Sequence, residues 1–345
     1  MITTIPTKIV GPIKMRGDVV ADIMVPLATY ETPLWPSVQR GAFLSQQSNG
    51  IFMKVLGSTM TRSLLLEAQS LESAVYIQSC IQQTPTSILQ DVVGSTTSFG
   101  QFQSIDIKIL GPLLFIRVSI DPKEASGHNM VTKAAQAIGD FLCDNYPLKF
   151  NSVSGNMCCD KKVSAINAIQ GRGHHVVAEM TVPEELCKNK LRCTAQQLHN
   201  IIYQKNWIGS GMAGTLMSAN AHFANMLLAF YLATGQDAAN IVEGSQGMTY
   251  GYLNSNGAFV FSITMPNIIV GSIGNGKHHH FIKERLKNMG CEGEGASKRL
   301  AAIAAATTLC GELSLLAALC RHKELVDSHM RLERLHQKQV DHGGH

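Results

Sequence analysis

Between Leu64 and Val153 the hydrophobic periodicity switches repeatedly, and that succession constrains the fold more than any other feature of the chain. Apolar residues at helical spacing run from Leu64 to Ile81, with Leu65, Ala68, Leu71, Ala74 and Val75 on one face. Two alternating stretches, Ser104 to Ile109 and Leu113 to Ile120, flank Gly111-Pro112 and predict a hairpin. Helical spacing returns over Met130 to Cys143, and Leu148 to Val153 reads as a last strand. Helix, hairpin, helix and strand within about ninety residues follow the order of a ferredoxin-like βαββαβ unit. Its opening strand falls either in Leu44 to Val55 or near Leu64.

The flanking segments follow a different pattern. Short strands are expected at Ile5 to Ile9 and Val19 to Val25, then an amphipathic stretch from Ser37 to Gln47. Beyond Gly155 small-residue helices are expected at Ser164 to Ala168, Met212 to Ala233 and Ser297 to Cys320. One strand pair, Ala258 to Met265 with Asn267 to Val270, accompanies them. The expected class is α+β. A ferredoxin-like insert, residues 63–151, interrupts a larger helix-rich domain made of residues 1–62 and 152–330, and residues 331–345 form a C-terminal tail.

Composition narrows the function classes. Of 345 residues, 45% are hydrophobic and 16% charged, so the bulk of the chain can bury a core. A net charge of +4, from 29 basic and 25 acidic residues, is too mild for a nucleic-acid footprint and compatible with an anionic small ligand. The dense mixed-charge run from Lys323 to Lys338 reads as a solvated helix end. Nine cysteines, only Cys158 and Cys159 adjacent, indicate reduced thiols, with neither a disulfide framework nor a metal site. Gly211 to Thr234 and Leu300 to Cys320 have the length of membrane spans. They carry Asn220, His222, Asn225 and Glu312, however, which suits buried helices with one polar face. Met1 to Pro12 lacks a signal pattern, and a cytoplasmic protein without a membrane partner is expected.

Several segments could carry chemistry. Ser154 to Lys162 ends in Asp160-Lys161-Lys162; one ammonium turned inward could stabilise an alkoxide, whereas a solvated basic helix start is the bland alternative. Asp237 follows Gly235, a plausible helix C-cap, and is either a turn former or a partner for Lys161. Gly271 to Lys277 has the glycine and lysine spacing of a P-loop, but His278 replaces the required hydroxyl. A glycine loop approaching a cofactor pyrophosphate stays open. Glu124 to Met130 offers small residues at a helix start, equally consistent with a capped turn. Asp327-Ser328-His329 is not a triad by adjacency, since triads converge from distant segments. Glu31 by itself is a loop carboxylate.

Taken in order, these segments resemble the hydroxymethylglutaryl-CoA (HMG-CoA) reductase family, in its class I, eukaryote- and archaea-like form. The resemblance runs through Val25 to Glu31 with Ser37 to Gly41, Met60-Thr61-Arg62, and Ser154 to Gly173. It continues through Lys205-Asn206 with Gly209 to Gly214, Asn220-Ala221-His222 with Asn225, and Gly235 to Ala239, and closes at Gly311 to Leu315 and Ser328-His329-Met330. It covers about Ile5 to Met330. The family's Glu-Asn-Val-Ile-Gly motif and preceding helical domain lie ahead of the matched segments, so the catalytic portion is expected.

What the resemblance implies is specific. The large domain binds HMG-CoA and the insert binds the nicotinamide cofactor, NADPH or alternatively NADH. Lys161 stabilises the oxyanion, Glu31 is the general acid, Asp237 links the two, and His329 protonates the departing CoA thiolate. Arg62, Ser154, Asn156, Asp160, Lys162, Lys205, His222 and Asn225 form the substrate shell. Glu124, Ala125, Ser126, Gly127, His128 and Asn129, with Gly271, Gly274 and Gly276, face the cofactor. No metal is implied, and a homodimer with shared sites is the least assembly expected.

The chain also departs from the family pattern. Glu124 to Met130 stands for Asp-Ala-Met-Gly-Met-Asn-Met. Gly271 to Lys277 stands for Gly-Thr-Val-Gly-Gly-Gly-Thr, with Asn275 and Lys277 the least conservative changes. Tyr30-Glu31-Thr32-Pro33 replaces Thr-Glu-Gly-Ala, and Ser98 replaces an Arg near the NADP 2′-phosphate. These changes support the second reading, an inactive homologue that binds acyl-CoA or a partner protein. The four retained chemical residues support the enzyme.

Overall fold

The computed structural model describes residues 4–327 and Met330. Its elements begin with β1 (Thr7–Gly17), β2 (Ala21–Ala28), α1 (Leu34–Gln47) and β3 (Ile51–Ala68). β3, at 18 residues, joins two sheets. Its first half lies parallel to β1 and antiparallel to β7 (Gly173–Val182); β7 in turn pairs with β9 (Phe259–Ile268), and β9 with β8 (Met248–Leu253). The first sheet therefore runs β2-β1-β3-β7-β9-β8. The hand-over falls between Thr59, opposite Gly173, and Met60, opposite Ile120.

The second half of β3 supplies the opening strand of the ferredoxin-like unit. After it come α2 (Leu71–Gln83), α3 (Thr86–Gly94), β4 (Gln101–Leu110), β5 (Leu113–Asp121), α4 (His128–Asn145) and β6 (Leu148–Ser152). The strands order as β4-β5-β3-β6, with the first and third of the unit in the centre. The Leu64 region is therefore the opening strand, whereas Leu44 to Val55 begins in α1 and reaches only the first half of β3, in the other sheet. The helical spacing read from Leu64 onward is corrected: Leu64 to Ala68 is strand, and the helix starts at Leu71. Ser70 caps it, its hydroxyl accepting from the Ser73 N–H at 3.1 Å. A strand covered on both faces is apolar at consecutive positions, which periodicity alone does not separate from a helix. The nine-residue α3 starts directly behind Pro85, too short for a clear helical period.

Other expectations shift as well. Met212 to Ala233 is not one helix; only Phe223–Ala233 is, because Gly214 and Met217 turn the chain at φ +71° and +50°. Ala258 to Val270 is not a strand pair but the single strand β9, which forms a hairpin with β8. Pro266 lies where the β7–β9 register shifts, so its missing N–H costs no ladder bond.

Two cores hold the chain. One lies between the ferredoxin-like sheet and α2 to α4, with Leu64, Ile116, Val118 and Ile138 fully buried. The other surrounds the helix Ala296–Leu319, which is long and apolar enough to cross a membrane; 94% of its most apolar window is nevertheless buried inside the protein. Small residues let neighbours approach it. A Cβ on Gly41 of α1 would stand 2.4 Å from Cys310 Cα, and that contact is backbone. Gly41→Ala is accordingly expected to lower unfolding stability by about 1–3 kcal/mol. Urea denaturation reads this, and an unchanged midpoint would show that the two helices separate without cost.

Candidate active site

The loop from Ser154 to Ser164 is strained by design. Asn156, Cys159 and Lys161 adopt φ of +62°, +47° and +54°, a region costly for side chains with a Cβ. Tertiary hydrogen bonds hold it there. Arg117 Nη1, on β5, donates to the Met157 carbonyl at 2.9 Å, and Asn167 Nδ2 to that of Cys159 at 3.1 Å. The Lys161 N–H donates to Glu243 Oε1 at 3.1 Å. This geometry sets Lys161 Nζ 3.0 Å from Asp237 Oδ2. Burial works to raise the Asp237 carboxyl, but the hydrogen bonds from Lys161 and from the Ala239 N–H outweigh it and leave it below the usual range.

Beneath the pair lies a buried ionic network. Arg172 is 1% exposed and Glu243 is fully buried. Arg172 Nη1 meets Glu243 Oε1 at 2.7 Å, and Nη2 meets Asp160 Oδ1 at 3.0 Å. Asp160 also faces Arg62 at 3.5 Å and His128 Nε2 at 3.8 Å. Burial raises the Glu243 carboxyl, opposed by Arg172. Burial, reinforced by the Arg172 charge, pushes the His128 imidazole down to about 4, so it is neutral at pH 7 and accepts from Asn240 Nδ2 at 3.2 Å. Glu243 and Arg172 were not among the candidate site residues. A signal existed: Glu243 is the one charged residue between Asp237 and Lys277.

A cavity of about 700 Å³ opens beside the Lys161–Asp237 pair. Arg62, Asp160, the Ala125 to Asn129 loop and the Ile273 to Lys277 loop line it. Gly274, at φ +94°, has nothing within 4 Å of where a Cβ would stand, so this wall keeps its backbone open to a ligand. Gly271 and Glu124 do not line this cavity. A Cβ on Gly271 would lie 2.4 Å from the Ser126 N, a close approach of the two loops. The Glu124 carboxylate accepts from the Gly295 and Ser297 N–H groups, both at 2.7 Å, and caps the Ala296–Leu319 helix.

Glu31 lies elsewhere. Its Oε2 accepts from Asn225 Nδ2 at 2.8 Å, and with His222, Ser37 and Arg40 it lines a separate cavity of about 450 Å³. Burial holds the His222 imidazole down at about 4, although its bond to the Gly311 carbonyl opposes this. Behind it Glu312 is fully buried, which pushes its carboxyl up to about 7 against the N–H groups of Ala221 and His222. Lys205 is half-buried, and its charge acts on both. One chain therefore does not bring Glu31, Lys161 and Asp237 together: Asp237 pairs with Lys161 alone. Ser154, Asn156 and Lys162 are exposed and line neither cavity. Ser328 and His329 lie outside the described residues. Among the described residues no three His, Cys, Asp or Glu side chains are placed to hold a metal ion.

A split helix-rich part enclosing a ferredoxin-like unit, with a lysine–aspartate pair facing glycine-bearing loops, defines an α+β protein with an enzyme-like cleft. The family model for hydroxymethylglutaryl-coenzyme A reductase matches residues 2–334, and the chain belongs to that family. Among similar proteins, the 3-hydroxy-3-methylglutaryl-coenzyme A reductase of Pyrococcus abyssi is 36% identical over 96% of this chain and 83% of its own length. That of Aeropyrum pernix is 38% identical over 91% and 76%. Reductase 2 of Dictyostelium discoideum is 36% identical over 96% of this chain and 64% of its own. The class II reductase of Streptococcus pneumoniae bound to NADPH superposes with a TM-score of 0.76. It covers 93% of this chain and 86% of its own, at 16% identity, and so shares the fold.

Proposed function

We propose that this chain reduces HMG-CoA to mevalonate and CoA at a site completed by a second copy of itself. The carrying observation is the division of the chemical residues: Lys161 and Asp237 share one cavity, and Glu31, His222 and Asn225 share another. A homodimer that presses one half-site against the other unites all three charged groups. Residues 1–62 and 152–330 then handle HMG-CoA, residues 63–151 the cofactor, and the protein works in the cytoplasm. The nicotinamide cofactor, NADPH or NADH, supplies hydride when bound. The open Gly274 wall and the adjoining cavity fit such a group.

The chain's own residues perform the rest. The Lys161 ammonium stabilises negative charge as it develops on the thioester oxygen, an electrostatic contribution that the protein sets in place beforehand. Asp237 holds that ammonium in position. His329 would protonate the departing CoA thiolate. In the second reduction Glu31 delivers a proton to the alkoxide. Arg62, held by Asp160 and by Thr132 Oγ1 at 3.1 Å, offers its guanidinium to the substrate's carboxylate. The altered Glu124 to Met130 and Gly271 to Lys277 segments are what an inactive homologue that only binds acyl-CoA would rest on, and the retained Glu31, Lys161 and Asp237 outweigh them.

The test is loss of NADPH or NADH absorbance with HMG-CoA. Wild-type protein consumes a cofactor, and Glu31→Gln and Lys161→Ala alone do so at strongly reduced rates. Co-refolding these two variants restores part of the rate, because mixed dimers hold one intact site. No consumption by wild type refutes the reductase; no recovery in the mixture refutes the shared site.

A further inference from the structure

Lys277 closes the Gly271 to Lys277 loop, and its surroundings are unusual for a lysine. It is 6% exposed, its Nζ donates to the Asn275 carbonyl at 3.2 Å, and it forms no ion pair among the described residues. Lysine is rarely buried without a counter-charge, because the charge loses hydration that nothing replaces. Burial pushes its ammonium down to about 8, with the charge of Asp237 opposing, and Asp237 is already engaged by Lys161 at 3.0 Å.

The loop that carries Lys277 is fixed in place. A Cβ on Gly276 would stand 2.4 Å from the Gly235 carbonyl oxygen, so the two backbones touch. Gln236 bonds the loop's other end twice: Nε2 donates to the Gly271 carbonyl at 3.2 Å, and Oε1 accepts from the Gly271 N–H at 3.0 Å. Lys277 therefore stays in the wall between the cavity of about 700 Å³ and a second one of about 430 Å³. His278 and Lys283 line the second cavity against a single acid, Glu292.

We propose that Lys277 is the phosphate-binding cation of the cofactor subsite, its ammonium receiving a phosphate of the dinucleotide at the wall shared by these two cavities. This rests on the nicotinamide-dependent function above. The family motif that this loop resembles ends in Thr, where this chain has Lys277. A phosphate supplies the counter-charge that the buried ammonium lacks, and a charge-assisted bond of this kind is strong in a partly desolvated site.

The experiment is direct titration of NADPH and NADH, by cofactor fluorescence, into the full-length wild type and into Lys277→Met, Lys277→Thr and Lys277→Arg. Far-UV circular dichroism verifies that each variant folds, and Thr replaces Met if the latter does not. Dissociation constants for Met and Thr are expected to rise roughly tenfold or more, with Arg retaining most of the affinity. Equal losses for both cofactors place the phosphate in the pyrophosphate, and a loss confined to NADPH places it at the 2′ position. Constants within about twofold of wild type for both cofactors overturn the proposal. Titration needs no turnover: a wild type that binds NADPH without reducing HMG-CoA would remove the reductase activity and leave this subsite standing.

Discussion

Lys161→Ala is expected to lower kcat by about 10²–10³-fold while the protein stays folded, since it removes the ammonium proposed to stabilise the oxyanion. The stability cost is small. The Lys161 side chain is 37% exposed and its partner Asp237 is 48% exposed, and exposed pairs contribute little to folding. The left-handed backbone at Lys161 is held through its N–H bond to Glu243, which alanine keeps. Steady-state rates combined with thermal unfolding check both halves. Wild-type rates in this variant would remove Lys161 from the chemistry, and a collapse of stability would make the loss of rate uninformative about catalysis.

Glu243→Ala is expected to produce the largest loss of stability, about 3–5 kcal/mol, because the buried Arg172 guanidinium loses its closest counter-charge and keeps Asp160 alone. Glu243 Oε1 collects three donors: Arg172 Nη1 at 2.7 Å, Asn240 Nδ2 at 3.1 Å and the Lys161 N–H at 3.1 Å. Turnover should fall along with stability, since the strained Lys161 backbone loses its acceptor. Glu243→Gln keeps an acceptor oxygen without the charge, so its effect should be intermediate. Denaturant unfolding measures the series. An unchanged midpoint for Glu243→Ala would mean that Arg172 finds another partner and the network does not hold the loop.

Asp160 explains why the network matters for the site. Its two oxygens face Arg172 and Arg62, so the buried cation and the cavity-lining one share a carboxylate. A disturbance at Glu243 therefore reaches Arg62 through Arg172 and Asp160, a chain of contacts set by distance and charge.

Much of the fold was legible. The hairpin at Gly111-Pro112 and the helix around Met130 to Cys143 follow from local spacing, and local spacing survives folding. Glu124 shows the limit. The family resemblance sets it against the cofactor, yet its carboxylate caps a helix that begins more than a hundred residues later. Nothing near Glu124 in the chain announces that use. Lys277 shows the same limit from the other side: the spacing of its loop suggested phosphate, but only packing against Gly235 shows how deeply its amine is buried.

The sequence by itself determined the order of the elements and the chemical types available at Glu31, Lys161 and Asp237, because both depend on residues near one another along the chain. The tertiary structure alone decided which of those groups meet. β3 passes from one sheet into the other at Thr59 and Met60, and the segments brought beside each other there come from distant parts of the chain. Burial, and with it the pairing of Arg172 with Glu243 or the isolation of Lys277, is a property of that packing. Charge is costly only where water is excluded, and no local pattern records where that will be.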